Sequence, residues 1–292
     1  MATHFDLAER LGRAQAGARQ ANRTHGNPAL ARLVDTLGFD RVYQRGEGQY
    51  LWDSEGNRVL DCLAGYGALA IGRNHPVVRD ALEQCLRLAP PSWVHFEHNA
   101  LVGEAARMLK EHCGPGLDHV FFTNSGTEGV ELAIKLSRRH TGRSEVIGWS
   151  DSFHGLTCGS LSMNGSEELQ RGFGPLLPGA SLVPFGSLQD LERALSSQAV
   201  AAFFIEPVQG KTLRTLAPGV LRDVQSLCRR YGTLLVADEV QTGVGRTGRF
   251  LATHHDEVQA DIVVLSKALS GGFVPVGAVL ARADVWQSTF SS

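Results

Sequence analysis

The chain reads as an α/β protein built on a mostly parallel sheet with helices on both faces. Three observations predict this. Short apolar runs of strand length (HVFFT, EVIGW, SLVPF, AVAAFFIEPV, TLLVADEV and DIVVLS) alternate with helix-period segments between residues 119 and 266. The runs are continuously apolar rather than alternating, which is the signature of strands covered on both faces. At 292 residues the chain is long enough to bury a sizeable core, as one large domain with smaller attachments.

Residues 5–22 form a polar, Arg-rich helix with a thin apolar stripe, expected to be a surface or subunit-contact arm. Asp6 and Glu9 argue against a transit peptide. Residues 39–61 carry strand-like runs, GQYLWD and NRVLDCL, joined by the turn Ser54-Glu55-Gly56-Asn57. The pattern changes near residue 75, which predicts an arm with a small β-containing segment over 1–74 and a large domain over 75–292. Within the latter, HVFFT (119–123) is a strand, and 129–140 is a helix with Val130, Ala133, Ile134 and Ser137 on one face. Residues 218–231 are a second helix between strands.

Composition narrows the function. A net charge of −2 offers no field for nucleic acid or an anionic membrane surface. No stretch is long and apolar enough to span a bilayer, and the N-terminus has no signal-peptide core. The five cysteines are odd in number and scattered, with no CxxC pair, which predicts free thiols in a reducing, cytoplasmic setting.

Three features bear on chemistry. The strand HVFFT runs through Asn124-Ser125-Gly126-Thr127-Glu128 into a helix, with Ser125 and Glu128 in capping-box spacing. Such a strand-turn-helix junction suits an anion, because backbone N–H groups point outward along the helix dipole; Gly126 admits close approach and Thr127 adds a hydroxyl. A plain helix cap without ligand fits the same residues. TLLVADEV ends in Asp238 and Glu239, and FFIEP ends in Glu206. Ligands of open α/β sheets sit outside such carboxyl ends, and a carboxylate there needs a partner. Finally, Lys267 directly follows DIVVLS and is one of only four lysines, with Lys110, Lys135 and Lys211. Burial at a strand end favours its neutral, nucleophilic amine; Lys110 and Lys135 lie in helical patterns and are expected to be solvated.

Other candidates are weaker. GVGRTG (243–248) fits GxGxxG but opens no helix, and Asp261 begins a strand instead of ending one, so a Gly-rich loop is the better description than a dinucleotide site. His95 with His98, and His254 with His255, lack a third partner for a metal.

Taken together, LWDSEGNRVLDCLAGYGALAIGRNHP, FFTNSGTEGVELAIKLSRRHTGR, DSFHG, FFIEPVQG, LLVADEVQTGVGRTGRF and DIVVLSKALSGGFVPVGAVLA resemble the class III aminotransferases of the ornithine, putrescine and ω-amino acid type, in order, from about residue 40 to 286. The resemblance implies the fold type I (aspartate aminotransferase-like) large domain and pyridoxal 5′-phosphate as cofactor. It places Lys267 where the family lysine carries the cofactor as a Schiff base and then moves the proton. Asp238 falls on the residue that keeps the pyridine nitrogen protonated, and Phe153 and Val240 on the two ring faces. Gln241 falls near the ring oxygen, Ser125, Gly126 and Thr127 on the phosphate, and His154 and Glu206 beside the cofactor. Tyr66 matches a substrate-pocket tyrosine. The implied partners are an amine donor, a carbonyl acceptor (2-oxo acid or aldehyde) and a second copy of the chain. An aminomutase or epimerase of the same fold, or a non-catalytic truncated homologue, are the alternatives.

Three departures accompany the resemblance. The family continues into a C-terminal small domain that this sequence is expected to lack; Ser288-Thr289-Phe290 only echoes its phosphate-binding segment. Leu156 stands where relatives acting on ornithine or acetylornithine have an arginine three positions after the stacking Phe, and Lys211 where they often carry a glutamate. These changes point towards a diamine, an ω-amino acid or a carrier-bound aldehyde.

Overall fold

The computed structural model describes residues 5–91 and 96–290. They fall into two compact units, residues 1–64 with 71–84 and residues 65–70 with 85–292.

The first unit holds helices α1 (Leu7–His25) and α2 (Pro28–Thr36) and a three-stranded antiparallel sheet, β1 (Tyr43–Glu47), β2 (Tyr50–Asp53) and β3 (Arg58–Leu60). Neither helix buries a residue within the chain. Asp6 caps α1 by accepting from the Glu9 amide at 3.0 Å, and Asn27 caps α2 ahead of Pro28. The turn at 54–57 closes on Asp53, whose Oδ1 accepts from the Glu55 and Asn57 amides. Helix α3 (Pro76–Leu88) follows, and the unit boundary falls within it.

The second unit is built on a seven-stranded sheet. Its elements in chain order are α4 (Ala100–Cys113), β4 (His119–Thr123), α5 (Gly126–Thr141), β5 (Glu145–Trp149), α6 (Cys158–Ser162), α7 (Glu167–Gln170), β6 (Ala180–Val183), α8 (Leu188–Leu195) and β7 (Val200–Ile205). Then come α9 (Val220–Tyr231), β8 (Leu234–Asp238), β9 (Ile262–Leu265), β10 (Gly277–Ala281) and α10 (Ala283–Phe290). The strand order is β4-β10-β9-β8-β7-β5-β6. The pairs from β9 through to β6 are parallel, while β10 runs antiparallel to both its neighbours. Every strand expected from the apolar runs is present; β10 is an addition.

Strands β7, β8, β9 and β10 are buried along their whole length. One core layer includes Trp149, Phe203, Leu191 and Val224; the other includes Val130, Ile134, Phe204 and Val264. Phe203 and Phe204 thus face opposite layers of one strand, as the two-residue period requires. Full burial of each such side chain contributes about 1.5–3 kcal/mol. Helix α5 presents Val130, Ala133, Ile134 and Ser137 to the sheet and leaves Lys135 exposed.

Candidate active site

Three neighbouring strands deliver three ionisable groups to one edge of the sheet. Glu206 directly follows β7, Asp238 ends β8, and Lys267 stands two residues beyond β9. The apolar runs end there because a charge cannot continue inside a two-sided core, and at the carboxyl edge Glu206 and Asp238 meet hydrogen-bond donors.

Asp238 is 4% exposed. Its Oδ2 accepts from His154 Nδ1 at 2.8 Å and its Oδ1 from the Val240 amide at 3.1 Å. His154 is 3% exposed and is held from behind: its amide donates to Asn164 Oδ1 at 2.7 Å, and Asn164 Nδ2 donates to the Gly155 carbonyl at 2.7 Å. Burial opposes a charge on His154, but the hydrogen bond to Asp238 and the charges of Asp238 and Glu206 outweigh it and raise its pKa. Its Nε2 has no partner among the described residues and lies toward Gly148 and Phe204. Glu206 accepts from the Phe153 and Gly210 amides, each at 2.8 Å. Burial pushes its carboxyl pKa up, with the Asp238 charge adding to the effect against His154. These bonds fix the loop 152–155 above the ends of β7 and β8.

The start of α5 leaves backbone donors open. Ser125 Oγ accepts from the Glu128 amide at 3.3 Å, as the spacing predicted. The reciprocal half of the box closes one residue early, because Glu128 Oε2 accepts from the Asn124 amide at 2.9 Å. The backbone N–H groups of Ser125, Gly126 and Thr127 make no hydrogen bond among the described residues. Gly126 packs against Val240: a Cβ there would stand 2.7 Å from Val240 Cγ2 and 2.9 Å from Cγ1. The Thr127 hydroxyl corrects the sequence expectation. It is shared with Thr157 Oγ1 at 2.7 Å and Ser160 Oγ at 2.6 Å and accepts from the Thr157 amide at 3.2 Å, which uses one donor and both lone pairs. Thr127 therefore has its side chain engaged and its amide free.

Lys267 is half-buried and opens a short 3₁₀ turn with φ +39°, a left-handed conformation that a lysine adopts only at a cost of about 1–3 kcal/mol. Burial lowers the pKa of its amine; Asp238 and Glu206 pull it back up, and Arg246 lowers it further. It lines a cavity of about 350 Å³ with Ala68, Asn124, Ser125, Ser266 and Gly272. Ser125 and Lys267 therefore line one space.

The remaining candidates sit around this centre. Phe153 is half-buried beside Glu206. Gln241 packs its side chain between Gly67 and Gly210. Tyr66 is 73% exposed at φ +54° in the 65–70 loop. Lys211 and Leu156 are exposed. Glu239 is not part of the site: fully buried, it accepts from the Ala252 and Thr253 amides at 3.0 and 2.9 Å and from the Thr242 hydroxyl at 2.5 Å, capping the 3₁₀ turn Ala252–His255. Residues 243–248 are a loop that opens no helix. Among the described residues no group of side chains is placed to hold a metal; His95 lies outside them. His98 is exposed, and His254 and His255 bond to the Cys113 and Thr247 carbonyls. Sequence reasoning missed Asn164, which carries no periodic or motif signal, and Ser266, whose Oγ donates to the Val276 carbonyl at 2.7 Å beside Lys267.

Comparison with known proteins converges on one family. The family described as aminotransferase class-III matches residues 34–292. The acetylornithine aminotransferase of Methanopyrus kandleri is 45% identical over 242 residues, covering 82% of this chain and 61% of that protein. The ornithine aminotransferase of Bordetella pertussis is 39% identical over 273 residues, covering 87% and 64%. Aminotransferase PigE of Serratia sp. is 40% identical over 262 residues, covering 88% of this chain but 30% of its own length. The chain thus spans less than two thirds of each of these relatives. Among solved structures, the ornithine aminotransferase of Toxoplasma gondii superposes with a TM-score of 0.87 at 34% identity, covering 96% of this chain and 67% of that one. The ω-transaminase of Pseudomonas jessenii in complex with PMP gives 0.80 at 30% identity, covering 89% and 64%. With a match over most of its length and a shared fold, this chain belongs to the class III aminotransferase family.

Proposed function

We propose that the chain binds pyridoxal 5′-phosphate and transfers an amino group between a primary amine, diamine or ω-amino acid and a carbonyl acceptor, a 2-oxo acid or an aldehyde. The observation that carries this is the convergence of Lys267, Asp238 and the free amides at the start of α5 on the ends of β9, β8 and β4.

The donor set fits the cofactor. The free amides of Ser125, Gly126 and Thr127, on a helix N-terminus, suit its phosphate. Asp238 spends one lone pair of each oxygen on His154 and Val240, and what remains can accept from a protonated ring nitrogen. Val240 and Phe153 supply apolar surface for the ring, and Gln241 an amide for its oxygen. Bound there, pyridoxal 5′-phosphate supplies an electron sink for charge developing on the substrate carbon.

The protein's own part is then proton handling and positioning. Asp238, oriented by His154 and the Val240 amide, would hold the ring proton in place. His154 orients Asp238, and Glu206 pins the Phe153 loop. Lys267, whose neutral form is favoured by burial, takes the proton from the substrate carbon and returns it. Tyr66 belongs to the substrate side. The relatives' names, all aminotransferases or transaminases, support transfer over rearrangement within one molecule.

The exposed apolar side chains Leu101, Val102 and Met108 on α4 support a second copy as the protein partner. The free cysteines, three of them exposed, support a reducing, cytoplasmic setting. No described helix is long and apolar enough to cross a membrane.

The test is stoichiometric. Protein supplied with cofactor, amine donor and 2-oxo acid should release one carbonyl product per amino acid formed. Loss of the donor without a carbonyl product contradicts transfer.

A further inference from the structure

We propose that Glu131 is the positioning residue of the phosphate site at the start of α5: it fixes the Thr127 hydroxyl and so holds the first-turn amides ready for the cofactor's phosphate. The inference rests on the cofactor reading above and adds a residue to that site.

Glu131 stands four residues after Thr127 on α5, one turn further along the same face. Its Oε1 accepts from the Thr157 hydroxyl at 2.5 Å, the Gly159 amide at 2.8 Å and the Ser160 amide at 3.0 Å. The two amides belong to the first turn of α6, whose own N-cap residue, Thr157, makes no side-chain cap bond. A carboxylate of α5 therefore caps α6 in its place. Gly159 permits the approach, since a Cβ there would stand 2.2 Å from Glu131 Oε2.

The carboxylate also sets the direction of three hydroxyls. An ionised carboxylate only accepts, so the Thr157 proton goes to Glu131. The 2.7 Å contact between Thr127 and Thr157 then runs from Thr127 to Thr157. With that proton spent, the 2.6 Å contact between Ser160 and Thr127 runs from Ser160, in preference to its longer contact with the Thr157 carbonyl at 3.1 Å. Ser160, Thr127 and Thr157 thus form one chain of donors that ends on Glu131.

This arrangement bears on an anion at the start of α5. A free threonine hydroxyl competes for nearby backbone groups. Held by the chain, the Thr127 hydroxyl cannot, and the amides of Ser125, Gly126 and Thr127 stay unbonded among the described residues. Donors oriented before a ligand arrives cost less to order when it binds. Gly155 closes over the same hydroxyls at φ +129°: a Cβ there would stand 2.3 Å from Thr127 Oγ1 and 2.8 Å from Ser160 Oγ. The chain therefore packs against the residue that follows His154.

The test compares pyridoxal 5′-phosphate with pyridoxal, which lacks only the phosphate. Dissociation constants for both are read from the imine absorbance in wild type, Glu131→Ala and Glu131→Gln. Wild type should prefer the phosphorylated aldehyde. That preference should fall about ten- to a hundredfold in Glu131→Ala, as expected for losing charge-assisted hydrogen bonds, while pyridoxal uptake is unchanged. Glu131→Gln keeps an acceptor oxygen and should show a smaller fall; it carries the comparison if Glu131→Ala does not fold. Equal losses for both aldehydes mark a merely structural role and overturn the assignment, as does a preference that is unchanged or stronger in every variant that folds. If wild type forms an imine with neither aldehyde, the cofactor reading fails. Inorganic phosphate then still tests Glu131: it should raise the thermal midpoint of wild type more than that of the variants, and equal shifts overturn the assignment.

Discussion

At the scale of the residue, Lys267 joins two signs of perturbation, a left-handed backbone and a lowered pKa, at one strand end. The sign of each electrostatic influence can be tested. Burial favours the neutral amine, while the negative charges of Asp238 and Glu206 favour the ammonium. Lys267 should therefore react with an amine-selective acylating reagent at a pH below the ordinary lysine value of 10.5, ahead of the exposed Lys110, Lys135 and Lys211. In Asp238→Asn one of the charges favouring the ammonium is gone, and the midpoint of this reactivity should move to lower pH. Rates followed by peptide mapping across pH check both; a Lys267 indistinguishable from the other lysines contradicts the assigned environment. The placement of Lys267, Asp238 and Glu206 at one sheet edge was legible in the sequence because each ends or follows an apolar run. The orientation of the Thr127 hydroxyl was not, because its partners Thr157 and Ser160 are about thirty positions away and follow no local period.

At the scale of the element, the junction of β4 with α5 depends on a glycine for close approach. Gly126 has ordinary φ, but its Cα lies against both methyls of Val240. Gly126→Ala must displace Val240, which follows the end of β8, or the first turn of α5. The expected outcome is an overpacking loss of about 1–3 kcal/mol, with weaker cofactor uptake because the free amides move. Thermal unfolding with and without cofactor measures this, and an unchanged midpoint in both states would contradict the packing described. At this scale the sequence also had a blind spot. Residues 277–281, GAVLA, carry too little periodicity to announce a strand, and their antiparallel pairing with both β4 and β9 is a long-range fact that no local pattern encodes. The parallel strands were legible because two-sided burial writes itself as continuous apolar runs.

At the scale of the whole molecule, burial sorts the cysteines. Cys62, Cys85 and Cys158 are exposed, while Cys113 and Cys228 are buried, and burial pushes the Cys113 thiol up to about 12. A soluble disulfide reagent at neutral pH should titrate three thiols in the native chain and all five after denaturation. Five fast-reacting thiols in the native state would contradict the core. The largest claim at this scale is that one sheet edge assembles a covalent cofactor site from three neighbouring strands and a helix N-terminus. It is tested most directly by incubating the chain with pyridoxal 5′-phosphate, reducing with borohydride and locating the label by peptide mass spectrometry. A single cofactor fixed to Lys267, absent in Lys267→Ala, is the predicted result. Label spread over Lys110, Lys135 and Lys211, or none at all, would contradict it.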